Sequence, residues 1–381
     1  MFEHYLPKEM LPEYLELESI DYKRDDSLSV LEIEKGIILS PRKDETGSGL
    51  SKATFGLGGV VDSEGRFVEA SVMDTAKLIR RSKLCKKRFG GFYEVDPAAV
   101  AAVDEEVIYM GFFWEQYGHF LVDIIGRLWY ALDNDLKIAC VISGKKIGGN
   151  YLKLLNLMGI DEDRIIYVTE PTSFKKVYVP ETSFYPGKYY TSEYKGMIDR
   201  IITSAAKECE GLETYDKVYF SRSSFPSAEV GEKSIEKLME KNGFHILHPE
   251  KLSTAQQVYY VNNCRHLASI EGTIAHNCVF MNAEARQTIF IRGDLPNVFQ
   301  FQLNSLKGVP ADMVFCENKK RNDKSRKKLG KKSPVLVGMT DYIREYCQKE
   351  GLIPPAAAEK ARDILSLAEY NLKVLKAGIR K

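Results

Sequence analysis

Between residues 217 and 292 the hydrophobic spacing alternates between the period of a strand and that of a helix, and this alternation constrains the fold more than any single residue. Residues 217–220 (KVYF) are a short β-favouring run closed by Ser221 and Arg222. Residues 232–241 put Ile235, Leu238 and Met239 on one helical face, and Gly243 follows as a stop. A strand at 244–247 comes next, then a helix over 253–263 capped by Ser253, then a strand at 267–270 that ends at Glu271 and Gly272. Another helix begins at Thr273, and a strand over 287–291 closes the series. Strands and helices in strict alternation predict a parallel sheet with right-handed crossovers, whose ligands bind beyond the carboxyl ends of the strands.

A second block repeats the logic upstream. Strands at 107–110, 138–142, 165–168 and 177–180 alternate with helices at 117–132 and 151–158, and a long helix at 192–208 leads out of the block. The chain is therefore expected to be α/β, with two Rossmann-like domains facing a cleft and a C-terminal helical extension. The boundaries fall at 1–210, including a β-rich part over 1–100, then 211–318, then 319–381. In the β-rich part GLGGVVDSEGRFVEASV reads as a hairpin turning at 62–65. Gly56, Gly58 and Gly59 do not form G-x-G-x-x-G and lead into a turn, which argues against a dinucleotide site. Residues 319–332, dense in Lys and Arg, read as a solvated loop. Helices follow at 339–348 and 356–379, the latter with an apolar face of Ile364, Leu365, Ala368, Leu372 and Leu375 that packs on the body. Contact of this C-terminal region with an anionic membrane surface is the alternative.

Length and composition set the remaining bounds. A chain of 381 residues accommodates two domains, and its 54 basic and 53 acidic residues leave no overall field to gather nucleic acid. The seven cysteines form no C-x-x-C pair and sit largely in apolar runs, the usage of free thiols in a reducing compartment. No apolar run approaches the roughly 20 residues of a membrane span. The start, MFEHYLPKEM, lacks the regions of a signal peptide. A cytoplasmic location is the expectation, with peripheral attachment at the inner face of the membrane as its variant.

Three places carry chemistry. In WEQYGHFLVDIIGRL, His119 and Asp123 stand four apart on one helix face, the arrangement of a general base and its partner. A helical His beside an Asp is often structural, but the preceding loop lies at the carboxyl edge of the first sheet. Arg222, flanked by Ser221, Ser223 and Ser224 just past a strand, offers a planar fork and hydroxyls to a diphosphate. Glu271-Gly272-Thr273, at another strand end, admits a ligand to the backbone and offers a carboxylate to ribose hydroxyls. Metal readings are weak: Asp133-Asn134-Asp135 and Asp161-Glu162-Asp163 are helix-to-strand turns, and His245, His248 and Cys264 lack ligand spacing.

Taken together these residues resemble glycosyltransferase family 61. Its first segment is matched by Tyr117, Gly118, His119, Phe120, Asp123 and Arg127. Its second is matched by Ser221, Arg222, Glu232, Gly243, Phe244, Pro249, Glu250, Leu252, Ser253, Gly272, Asn277, Phe280 and Met281. The likeness covers about residues 55 to 295. It implies a GT-B type fold, inversion at the anomeric carbon, a UDP-sugar donor held by the C-terminal domain and an acceptor held by the N-terminal one. It implies no cofactor and no divalent metal. The bacterial branch of the family serves capsule and other surface polysaccharides, so an oligosaccharide or lipid-linked glycan is the implied acceptor. On this resemblance His119 and Asp123 are catalytic. Ser221, Arg222, Glu232, Glu271, Gly272, Thr273, His276 and Asn277 bind the donor, while Trp114, Tyr117, Gly118 and Arg127 meet the acceptor. The family often carries a second Arg shortly before the residue matched by Glu232, where this chain has Glu229 and Gly231. Two other functions fit the same frame, a non-catalytic glycan- or nucleotide-binding partner and a pyruvyltransferase-like enzyme.

Overall fold

The computed structural model describes residues 4–40, 58–78, 84–89, 94–96, 98, 100–225 and 228–379. Gly56 of the glycine-rich hairpin lies outside them. The chain divides into two compact units, one of residues 1–20, 209–296 and 303–381, the other of residues 21–208 and 297–302.

The first unit is built on a six-stranded sheet in which every pairing is parallel, in the order His4–Tyr5, Ala311–Phe315, Arg286–Ile291, His266–Ile270, Lys217–Phe220 and His245–Leu247. Its strands are covered on both faces, so Ala311–Phe315 and His266–Ile270 are buried along their whole length rather than alternating. Helices Glu232–Lys241 and Thr254–Asn263 form where the spacing places them. The second is started by a reciprocal pair in which the Ser253 hydroxyl accepts from the Gln256 N–H and the Gln256 side chain accepts from the Ser253 N–H. Ile235, Leu238, Met239, Tyr219, Phe290 and Val314 make one core with Tyr5 from the start of the chain and Ile343 and Tyr346 from helix Asp341–Lys349.

Two readings of the C-terminal region change. Residues 319–332 are not a loop: Lys319–Leu329 is a helix followed by a short 3₁₀ turn. Lys and Arg are good helix formers, and Asn322, Ser325 and Leu329 bury one side of it. Helix Ala357–Ile379 does pack on the body, but through Leu367, Tyr370 and Val374 against Val230 and Leu336. Ile364, Leu365, Leu372 and Leu375 stay exposed, with Leu365 at 71%. Spacing cannot choose between two apolar stripes. Tyr370 decides, because its hydroxyl also donates to the Arg321 carbonyl.

The second unit carries a mixed eight-stranded sheet. Ile165–Val168, Lys137–Val141, Ala101–Phe112 and Thr172–Pro180 are parallel, and Ile37–Leu39, Gly59–Val61 and Phe67–Val68 extend the sheet antiparallel. The last two strands are the hairpin read from the sequence, and its turn is closed by the Gly65 N–H on the Asp62 carbonyl. Among the described residues no helix is long and apolar enough to cross a membrane. Cys140, Cys209, Cys264, Cys278, Cys316 and Cys347 are buried free thiols.

Candidate functional site

In the mixed-sheet unit the chain leaves strand Ala101–Phe112, turns at Trp114 and enters a helix at Tyr117–His119. The helix widens to π geometry over Phe120–Ile124 and tightens to 3₁₀ over Ile125–Leu132, departures from the α-helix of a kind that gathers at functional sites. Phe120, Leu121, Val122, Ile124, Ile125 and Leu128 are fully buried, so the segment is held in the core on most of its circumference. His119 keeps an open face. Its Nδ1 contacts Asp123 Oδ2, and the His119 side chain is 23% exposed against 2% for Asp123. Trp114, tilted, and Phe299, edge-on, neighbour the imidazole at ring distances of 5.0 and 6.2 Å.

Arg127 is buried, and its Nη2 donates to the carbonyls of Ala70 and Val72 at 2.8 and 2.9 Å. It also lines a pocket of about 740 Å³ together with Glu181, Thr182, Tyr185 and Tyr189. The two tyrosine rings lie 5.6 Å apart, and Glu181 accepts from Arg24 and from the Tyr189 hydroxyl. Gly118 is buried, and burial pushes the Tyr117 hydroxyl above its ordinary pKa.

In the parallel-sheet unit Ser221 and Arg222 follow strand Lys217–Phe220. Glu236 accepts from the hydroxyls of Ser221 and Ser223 at 2.6 and 2.7 Å, which fixes the turn. Glu232 is wholly buried and points inward, accepting from the Arg222 N–H at 2.8 Å and from the Tyr219 hydroxyl at 3.4 Å. Desolvation raises its carboxyl to about 7. The helix it opens is preceded by Gly231 at φ 101°, where an added Cβ would lie 2.1 Å from the Val337 carbonyl oxygen. Only glycine fits there.

Gly272, at φ 132°, follows Glu271 at the end of strand His266–Ile270. Burial also pushes the Glu271 carboxyl up. Thr273 precedes a short 3₁₀ helix, Ala275–Phe280, which starts later and winds tighter than the spacing suggests. His276 and Asn277 lie inside the fold, with the Asn277 amide donating to the Ile274 carbonyl. Among the described residues no group of three His, Cys, Asp or Glu side chains is placed to hold a metal ion.

One residue absent from the sequence reading stands in this cluster. Arg292 directly follows strand Arg286–Ile291, and its Nε donates to the Glu271 carbonyl at 2.9 Å. Its Nη1 pairs with Glu229 Oε1 at 2.5 Å, the oxygen that also lies 3.6 Å from Arg222 Nη1. The strand-end rule that picked out Arg222 applies equally to Arg292 and would have found it.

The parallel-sheet unit carries arginines at its strand ends, and the mixed-sheet unit carries a His–Asp pair. Residues 117–288 match the family model described as Glycosyltransferase 61, a span of just under half the chain that runs from the His119 helix through Arg222 and Gly272. The match supports a relationship to that family and a glycosyltransferase activity. No curated protein matches the chain.

Proposed function

We propose that this protein is an inverting glycosyltransferase that moves a sugar from a UDP-sugar to a hydroxyl of a glycan, on a frame of GT-B type. The His119–Asp123 pair carries the reading. A buried carboxylate on Nδ1 fixes the imidazole tautomer and stabilises the imidazolium, so Nε2 is the nitrogen that takes the acceptor proton. The deprotonated oxygen attacks the anomeric carbon while the bond to the diphosphate breaks, and no covalent intermediate with the protein is needed. Arg222 and the Gly272–Thr273 backbone stabilise the charge that develops on the leaving diphosphate.

The pocket at Arg127, Tyr185 and Tyr189 supports a saccharide acceptor, since aromatic faces suit the apolar side of a sugar ring and Glu181 and Thr182 offer hydrogen bonds to hydroxyls. In this reading the acceptor is an oligosaccharide or lipid-linked glycan of a capsular or other surface polysaccharide, and the reaction needs neither metal nor cofactor. The protein works in the cytoplasm. The exposed Ile364, Leu365, Leu372 and Leu375, with the basic helix Lys319–Leu329, support a peripheral contact with the inner membrane face.

The test is incubation with UDP-, GDP- and CMP-sugars and glycan acceptors, following free nucleotide and the anomeric configuration of the product. Inverted product with UDP release is expected. Ligand binding without turnover would assign the protein to a non-catalytic role, and a retained anomeric configuration would remove the single-displacement mechanism.

A further inference from the structure

We infer that Arg292 is the second cation of the diphosphate site: Arg222 and Arg292 grip one diphosphate over Gly272, and Glu229 holds the Arg292 guanidinium in place. The inference rests on the donor reading above and adds to it a residue that neither the sequence motifs nor the family likeness supplies.

Three observations converge. The strands ending at Phe220, Ile270 and Ile291 are neighbours in the sheet, so Arg222, Gly272 and Arg292 emerge side by side from one carboxyl edge. A Cβ built on Gly272 would meet Arg292 Nη2 at 3.1 Å and Arg222 Nη1 at 3.6 Å, and, its two chain neighbours aside, no other atom of the described residues within 4 Å. The space over that glycine is thus bounded by two guanidinium groups. At φ 132° the position also favours the one residue that leaves its backbone open.

The third observation is charge. Glu229 Oε1 serves both arginines, and its side chain is 3% exposed while those of Arg222 and Arg292 are 21% and 29% exposed. One buried carboxylate thus faces two arginines, and both guanidinium groups keep partial exposure through which an anion can reach them. Glu232 and Glu271 stand nearby, but burial holds both toward the neutral form, which lowers their repulsion of an anion. Arg292 is also set in advance of any ligand, since its backbone N–H and its Nε both bond to Glu271. Two planar forks held at a fixed separation suit the two phosphates of a nucleoside diphosphate, whereas a monophosphate engages only one. In the segment before Glu232 this chain has Glu229, and that carboxylate anchors an arginine delivered by another strand.

The test uses the full chain and calorimetric titration of inorganic pyrophosphate, then of UDP against UMP and GDP against GMP, at two salt concentrations. Wild type is expected to bind pyrophosphate and to prefer the diphosphate nucleotide. Arg292→Gln leaves Glu229 buried with less compensation and can unfold the chain, so the decisive variant pairs it with Glu229→Gln, with thermal melting confirming the fold. This double variant should weaken pyrophosphate binding by about tenfold or more, the worth of one charge-assisted hydrogen bond. It should also lose most of the diphosphate-over-monophosphate preference, and Arg292→Lys should recover only part. A merely structural role for Arg292 would not move that preference. If the double variant keeps wild-type pyrophosphate affinity and preference while Arg222→Gln loses both, the grip by two arginines is overturned and the donor site stands. If wild type binds neither pyrophosphate nor any nucleoside diphosphate, the inference and the donor reading fall together.

Discussion

The cluster around Gly272 and the cluster around His119 are built on opposite plans. The first assembles residues from three neighbouring strand ends and fixes them with backbone bonds and shared carboxylates, Glu229, Glu232, Glu236 and Glu271 among them. The second draws its pair from one helix, with aromatic rings beside the imidazole and the ionic contact of His119 with Asp123 at its centre. Desolvation, with the neighbouring carboxylates adding to it, holds the carboxyls of Glu232 and Glu271 toward their protonated forms. Such a group orients cations well but makes an ill-defined base. An imidazole with one buried carboxylate and an open face has the converse character. Under the proposed function the two plans would separate anion binding from proton transfer.

The sharpest way to break this division is His119→Ala. Turnover should fall by about 10²–10⁴-fold, the usual contribution of a positioned base, with pyrophosphate affinity unchanged in the same protein. If His119→Ala keeps full turnover and Asp123→Asn abolishes it, the base is Asp123.

Next in size is the buried acid of the other cluster. Unfolded, Glu232 titrates near its ordinary 4.5; folded, near 7. Between those values the unfolded chain releases a proton that the folded chain keeps, so stability falls as pH rises, and the loss is complete above about 7. Glu232→Gln should remove a slope worth about 3 kcal/mol in all, measured by denaturant unfolding from pH 4 to 8. Glu271 titrates in the same direction and leaves a residual slope. An unchanged profile would remove the claim that desolvation dominates this site.

Arg222→Lys keeps the charge and discards the fork. Pyrophosphate should bind about tenfold more weakly, with His119-dependent chemistry impaired only through donor affinity. The smallest effect tests the scaffold away from both clusters: Ser253→Ala removes the helix cap and should cost about 1 kcal/mol of stability without altering ligand binding.

Much of the first cluster and all of the second pair can be read along the chain. His119 and Asp123 are local neighbours, and Arg222 and Gly272 lie at strand ends that periodicity marks. Arg292 stands at an equally marked strand end, yet its meaning depends on Glu229, far away in sequence and adjacent only once the strands are ordered. Arg127 adds what the motif position does not carry: its Nη2 donates to the Ala70 and Val72 carbonyls while the residue lines the pocket with Tyr185 and Tyr189.

By itself the sequence determined most strands and helices of the two alternating blocks, the Ser253 cap, the hairpin at 62–65 and the His119–Asp123 pair, because period, capping and i,i+4 geometry act over a few residues. Only the tertiary structure decided that His4–Tyr5 pairs with Ala311–Phe315 at the sheet edge, that Lys319–Leu329 is helical against the body, and which stripe of Ala357–Ile379 is buried. It also decided that two arginines and one glutamate from separate strand ends meet over Gly272. Such contacts depend on strand order and packing, which bring together residues that no local propensity relates.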